Sequence, residues 1–307
     1  MKNSDEVANS RLEKLRELQY QRVRERQRRK RCMLVGILTV FLLLAAALTV
    51  VTFYQNQNFE ITEYNLQTEK FQKEFRIVLL SDLHNQEFGE NNRDLIKAVQ
   101  ECEPSLILMC GDMVMEDDPN VDVILNLCEQ LSQTADIYYL LGNHEGVLEY
   151  DKNGLQIPLD EYLYKLGVTV CYPGEYTIEH DGTEIRLFSV SMKEQNYEAD
   201  TDIQEKFQAF VQQDGYKIVA SHYPTILYKS FYEEDFDLGI AGHFHGGQII
   251  LPGIGGLYHS DTGFFPEYYG GLYELGKGQL IVTRGLGNSS VVPRINNRPE
   301  LVVININ

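Results

Sequence analysis

Five apolar runs in this 307-residue chain each break off at a short cluster of histidine, aspartate, asparagine, serine and glycine, and no other feature constrains the fold as strongly. Residues 75–80 (FRIVLL) lead into Ser81-Asp82-Leu83-His84, and residues 105–110 (SLILMC) into Gly111-Asp112. Residues 136–141 (DIYYLL) lead into Gly142-Asn143-His144-Glu145. Ala220 precedes Ser221-His222, and Ala241 precedes Gly242-His243-Phe244-His245-Gly246-Gly247. The first three runs are continuous rather than alternating, and stretches of helical period at 91–102 and 121–132 separate them. Strands of that kind belong to a sheet covered on both faces and built from βαβ units, an α/β architecture. In such sheets sites gather beyond the carboxyl ends of the strands, so the five clusters are expected in one crevice.

Farther along, turns replace helices. Residues 177–179, a His180-Asp181-Gly182 turn and residues 184–190 read as a hairpin. A helix at 203–213 precedes strands at 217–220 and 238–241; further strands flank 276–278, and residues 301–306 close the chain. A mixed second sheet packed on the first, with helices outside, accommodates these segments. About 250 residues remain after an N-terminal segment is set aside, enough for one sizeable core.

The clustered residue types suit a metal pair. Asp82 and His84, two apart on a chain leaving a strand, can point into one ion, and His243 with His245 repeats that spacing. Carboxylate, imidazole and amide oxygen together favour borderline first-row ions such as Mn, Fe or Zn. Asp112 has two carboxylate oxygens with which to bridge two ions. Five of the seven histidines lie in the clusters; His180, a surface turn residue, and His259 lie outside them. Each piece alone is weak, but five in this order, flanked by glycines that let backbone approach closely, are not a loop accident.

On the motifs SDLH, GD, GNHE, the isolated His222 and GHFH, the chain resembles the calcineurin-like metallophosphoesterase superfamily over residues 75–306. The resemblance implies a four-layer αββα sandwich. It also implies one metal held by Asp82, His84, Asp112 and His245, and a second held by Asp112, Asn143, His222 and His243. His144 is then the catalytic, non-ligand histidine facing the scissile phosphate. Protein phosphatases of the superfamily continue as GDxxDRG, whereas this chain reads GDMVMED with Met115 at the aspartate position, which disfavours a phosphoprotein substrate. The stretches GHFHGGQIILPGIGGLY, RGLGNS and RPELVVI resemble the membrane-anchored or secreted bacterial branch, implying phosphodiesters or envelope and lipid-linked phosphoesters as substrates.

The expected reaction is hydrolysis of a phosphomonoester, phosphodiester or pyrophosphate by a metal-bridging hydroxide. Two ions about 4 Å apart lower the pKa of a shared water and grip the phosphoryl oxygens. His144 is placed to hydrogen-bond the developing charge or protonate the leaving oxygen. Glu145 either orients a histidine or faces solvent. Residues 253–271, with six glycines and five aromatic residues, form either a lid over the site or a plain surface loop. Arg284 either contacts a substrate phosphate or pairs with an acidic neighbour. None of Cys102, Cys110, Cys128 and Cys171 shows metal-ligand spacing, and no structural disulfide is expected.

Residues 33–54 contain no charged side chain, and as a helix they span roughly 33 Å, the thickness of a bilayer core. Arg22 to Arg31 (RVRERQRRKR) immediately precede them, so the basic flank is expected to stay cytoplasmic and the remainder to lie outside the plasma membrane. The expected division is a basic cytoplasmic segment at 1–31, a transmembrane helix at 32–54, a linker and first strand at 55–74, and the phosphoesterase domain at 75–307. A cleaved secretory signal is the alternative, with Ala45 to Ala47 as small residues. Leu12, Leu15 and Leu18 give residues 1–31 one apolar face suited to an anionic leaflet, or the segment is a solvated charged helix. Residues 1–31 carry 11 basic and 5 acidic side chains, leaving 16 basic and 40 acidic among the other 276. So acidic a domain repels the phosphates of a nucleic acid duplex, which is not an expected partner. Two competing readings are a catalytically inactive membrane-tethered binding scaffold, disfavoured because none of the expected ligands is replaced, and a small-nucleotide phosphoesterase.

Overall fold

The continuous apolar runs form strands because nearly every residue in them has a packing partner on one face or the other. The computed structural model describes residues 2–116, 118, 120–148, 158–290 and 292–307, without the side chains of residues 2–10, 12 and 13, so the expectation for Leu12 lies outside it. Contacts divide the chain into two units, residues 1–53 and 54–307. Helix α1 (Lys2–Asn56) supplies the first unit. Over its most apolar 18 residues the mean hydropathy is 2.8, and by length and composition it can cross a membrane.

In the second unit, β1 (Glu60–Leu66), β2 (Phe75–Leu80), α2 (Arg93–Glu101), β3 (Leu106–Cys110), α3 (Asp122–Leu131) and β4 (Ile137–Leu140) come first. Then follow α4 (Asn143–Val147), α5 (Leu159–Lys165), β5 (Thr169–Cys171), β6 (Gly174–His180), β7 (Thr183–Ser189), α6 (Glu194–Ala199) and α7 (Thr201–Val211). After β8 (Tyr216–Ser221), α8 (Pro224–Ser230) and β9 (Leu238–Ala241) come four two-residue strands: β10 (Ile250–Leu251), β11 (Gly255–Gly256), β12 (Tyr258–His259) and β13 (Gly263–Phe264). Strands β14 (Gly271–Leu275), β15 (Gly278–Val282) and β16 (Glu300–Ile306) close the chain.

One six-stranded sheet has the order β1-β16-β2-β3-β4-β5 and is parallel except between β16 and β2. The other has the order β14-β15-β9-β8-β7-β6, parallel in the middle and antiparallel at both edges. Alternate residues sort them into layers. On β2, Val78 and Leu80 pack beneath α2 and α3, whereas Phe75, Ile77 and Leu79 face the second sheet. On β8, Ile218 and Ala220 meet the first sheet, and Val219 packs with Phe207 and Phe210 of α7. Three apolar cores between four layers make an αββα sandwich, in which each fully buried aliphatic side chain contributes about 1.5–3 kcal/mol. The β6–β7 hairpin closes through Asp181 (φ 47°) and Gly182 (φ 79°), the left-handed pair that a two-residue hairpin turn requires.

Helices α5, α6 and α8 were not expected from the sequence. Each spans only 6 or 7 residues, too few for the apolar period to declare itself. The sandwich brings the carboxyl ends of β2, β3 and β4 against those of β8 and β9. There the Cys110 thiol donates to Ser221 O (3.2 Å) and the Asp82 N–H to Gly111 O (2.9 Å).

Candidate metal centre

All five strand-end clusters meet at this edge. Their ligand atoms form three overlapping groups, Asp82–His84–His245, His84–Asp112–His144 and Asp112–His222–His243, with every atom in a group within 4.8 Å of the others. His84 and Asp112 join them into one centre. Its carboxylates and histidines are largely withdrawn from solvent, with Asp82 and His222 fully buried.

The backbone leaves the strands abruptly. Asp82, His84, Asp112, His243 and His245 all have φ between 46° and 71°, the left-handed region that short polar residues tolerate better than β-branched ones. The loops nonetheless extend the sheet ladder, with His84 N–H donating to Asp112 O (3.1 Å) and Asn85 N–H to Met113 O (3.2 Å). Close approach is required at Gly242, where a Cβ would overlap Ser81 Oγ, and at Gly142, where it would overlap Asp112 Oδ1. The two-residue spacing alone allows His243 and His245 to share an ion, whereas the resemblance divides them between two. His243 and His245 do not point into a common group: His243 joins His222, and His245 joins Asp82. Asp82 and His84 do share a group, by way of a turn.

In the group around His222, hydrogen-bond direction exposes a demand for positive charge. His222 Nδ1 donates to Cys110 O (2.8 Å), so in the neutral ring Nε2 carries a lone pair. That lone pair faces Asp112 Oδ2 (3.1 Å), Asn143 Oδ1 (3.2 Å) and His243 Nδ1 (3.0 Å). His243 Nε2 donates to Asp261 Oδ2 (2.9 Å), which leaves a lone pair on its Nδ1 as well. Four acceptors thus converge, and only a cation or an extra proton satisfies them. Burial alone would depress the pKa of His222, but the Asp112 carboxylate overrides it and holds the imidazole up to about 10. Asp112 would likewise be raised by burial, yet the charged His222 keeps its carboxyl well below the usual range. The donor set therefore fits a divalent ion in place of that proton.

The group around Asp82 is built differently. His84 Nε2 lies 3.2 Å from His245 Nε2, and His245 Nε2 lies 3.3 Å from Asp82 Oδ1. Burial pushes His84 down to about 3 and raises Asp82, and His84 Nδ1 has no hydrogen-bond partner among the described residues. Arg294, almost fully buried, donates from Nη2 to His245 Nδ1 (3.0 Å). A guanidinium only donates, so this contact keeps the proton of the neutral ring on Nε2; for an ion to bind at Nε2 that proton must shift to Nδ1 and the guanidinium turn aside. The donor types fit a cation in that tautomer.

His144 belongs to the group that links the other two, its ring 4.5 Å from that of His84 and its Nε2 3.7 Å from Asp112 Oδ2. The Glu116 N–H donates to His144 Nδ1 (3.0 Å), which puts the neutral ring's proton on Nε2. The His144 N–H donates to Asp112 Oδ1 (2.8 Å), leaving Oδ2 as the oxygen free for its neighbours.

Glu145 neither orients a histidine nor faces solvent. Its carboxylate accepts from the N–H groups of Asp112 (2.9 Å), Met113 (2.8 Å) and Gly142 (2.8 Å) and from the Tyr139 hydroxyl (2.6 Å), clamping the β3 and β4 loops together. Arg284 pairs with Glu300 (2.6 Å) and Glu60 (2.7 Å) as a tie between sheets. His180, at the end of β6, packs on Phe75 with ring centroids 5.0 Å apart.

Sequence reasoning missed Asp261, His259 and Arg294. His259 stacks edge-on against His243 with centroids 4.8 Å apart. The only signal for it was the spacing His259-Ser260-Asp261, which follows no strand-length apolar run. A cavity of about 410 Å³ opens beside the centre, lined by His245 and His259 together with Phe244, Ile249, Leu257 and Tyr258. A larger groove of about 1060 Å³ around Tyr164, Lys165 and Tyr172 touches none of the clustered residues, so its size gives it no claim to the chemistry.

Residues 75–247 match the calcineurin-like phosphoesterase family model. The chain is 28% identical over 242 residues to the phosphodiesterase YaeI of Escherichia coli (strain K12), covering 76% of this chain and 82% of that protein. It is 25% identical over 232 residues to the metallophosphoesterase YkoQ of Bacillus subtilis (strain 168), covering 75% and 82%. To the metallophosphoesterase YkuE of the same organism it is 26% identical over 244 residues, covering 76% and 79%. Since the family match runs from the first metal-capable cluster through the last and takes in more than half of the sequence, the chain belongs to the calcineurin-like phosphoesterases, metal-dependent phosphoric ester hydrolases.

Proposed function

We propose that this protein is a membrane-anchored, dinuclear phosphodiesterase acting on envelope or lipid-linked substrates outside the plasma membrane. Asp82, His84, Asp112 and His245 hold one divalent ion, Mn, Fe or Zn, and Asp112, Asn143, His222 and His243 hold the second. The approach of His84 in one ligand group to Asp112 in the other, with ligand atoms within 4.8 Å, carries this reading. Two such ions, when bound, supply Lewis acidity toward phosphoryl oxygens and a hydroxide from water at neutral pH. The chain's own contribution is to fix the donors on left-handed turns and to keep a proton on His144 Nε2. That N–H is available to a developing phosphoryl charge or leaving oxygen. Preference for a diester is supported by the name of the YaeI relative.

Residues 1–31 are the cytoplasmic segment, 32–54 the span, 55–74 the linker with the first strand, and 75–307 the catalytic domain. The uncharged span and its basic flank support this orientation. A substrate with an apolar portion is supported by the cavity beside the centre and by the exposed Ile254 (67%) and Phe264 (71%) on the hairpins that border it.

Asp112→Ala tests the centre. The variant is expected to lose bound metal, read by elemental analysis, together with turnover of a chromogenic phosphodiester. Wild-type turnover by a metal-poor variant would overturn the proposal.

A further inference from the structure

The hairpin formed by β12 and β13 reaches the centre through a residue outside the five clusters. Tyr258 pairs with Phe264 and His259 with Gly263, and the turn between them carries Asp261. Asp261 Oδ2 accepts from His243 Nε2 at 2.9 Å, while its own N–H donates to His259 Nδ1 at 3.2 Å. The His259 ring packs edge-on against His243 and lies 4.6 Å from Phe244. His243 is thus held from behind by the hairpin, and its Nδ1 is aimed at His222 Nε2.

An imidazole has two nitrogens, and which one carries the proton depends on the partner of the other. With a carboxylate fixed on Nε2–H, Nδ1 keeps its lone pair directed into the second group; without it, the ring is free to turn about its Cβ–Cγ bond. Such outer partners of metal-binding histidines contribute about 10–100-fold to metal affinity. We propose that Asp261 is a positioning residue for His243, so that docking of the β12–β13 hairpin and occupation of the second metal position are thermodynamically linked. The inference rests on the two-ion reading above. Linkage is reciprocal: metal binding steadies the hairpin as much as the hairpin steadies the metal.

The test uses the full chain in detergent micelles, titrated with Co²⁺ and followed by its visible absorption, for wild type, Asp261→Ala and Asp261→Asn. Wild type is expected to take two equivalents. In Asp261→Ala one equivalent weakens by about 10–100-fold with an altered absorption band while the other is unchanged. Asp261→Asn falls between, because its amide oxygen still accepts from Nε2–H. Hydrogen exchange over residues 258–265 is expected to slow on metal binding in wild type and not in Asp261→Ala. Two equivalents in wild type, with unchanged affinity and spectrum in Asp261→Ala, would overturn this inference alone. Fewer than two in wild type would overturn the two-ion reading and this inference with it.

Discussion

Five of the seven proposed ligands occupy left-handed backbone, a conformation that costs a non-glycine residue on the order of 1–3 kcal/mol. The surrounding structure sustains it with specific bonds, among them His243 N–H to both oxygens of Asp82 at 3.1 Å. Residue type and order made these positions legible in the sequence, since five such clusters recur in one chain, each at a strand end. Direction was not legible from spacing alone, because the same two-residue interval keeps Asp82 and His84 in one group and sends His243 and His245 to different ones. The role of Glu145 was hidden for a related reason: its partners are mostly backbone N–H groups, which leave no trace in residue identity. At His259, burial lowers the pKa from 6.5 to about 4, and the Asp261 N–H needs the Nδ1 lone pair. Between those values the unfolded chain binds more protons than the folded one, so stability falls as pH drops from 6.5 toward 4. In chelator-treated protein, His259→Phe is expected to remove on the order of 2 kcal/mol of that loss, read by denaturant titration at pH 4.5 and 7. A pH dependence identical to wild type would contradict it.

Elements were recovered where they are long or continuously apolar. Strands β2, β3, β8 and β9 and helices α2, α3 and α7 lie close to their expected positions, since burial on both faces of a sheet demands uninterrupted apolar residues. Short helices and two-residue strands escaped because their conformation is imposed by neighbours. Residues 250–264 form two small hairpins, and beyond them Tyr268 stacks on Tyr228 at 4.5 Å, whereas Phe264 and Phe265 stay exposed. Leu79, near the carboxyl end of β2 and fully buried between the sheets, tests the energetic role assigned to that layer. Leu79→Ala is expected to lower unfolding free energy by about 2–5 kcal/mol, measured by denaturant titration. A loss below about 1 kcal/mol would mean that the inter-sheet core does not close around this side chain as described.

For the whole molecule, the charge-free stretch and its basic flank predict that protein in intact cells loses its C-terminal unit to added protease while the N-terminus survives. Resistance of the C-terminal unit would reverse the proposed orientation, and release of the chain from membranes by salt alone would remove the anchor. Composition and pattern alone determined the α/β class, the apolar helix, the order of the metal-capable clusters and their location at strand ends, because periodicity and residue chemistry are local properties. Tertiary structure alone decided that Glu145 binds loop backbone, that Arg284 is a structural tie, and that Asp261 and His259 stand behind His243. Those outcomes depend on contacts between residues far apart in sequence, which emerge only when both sheets are packed face to face.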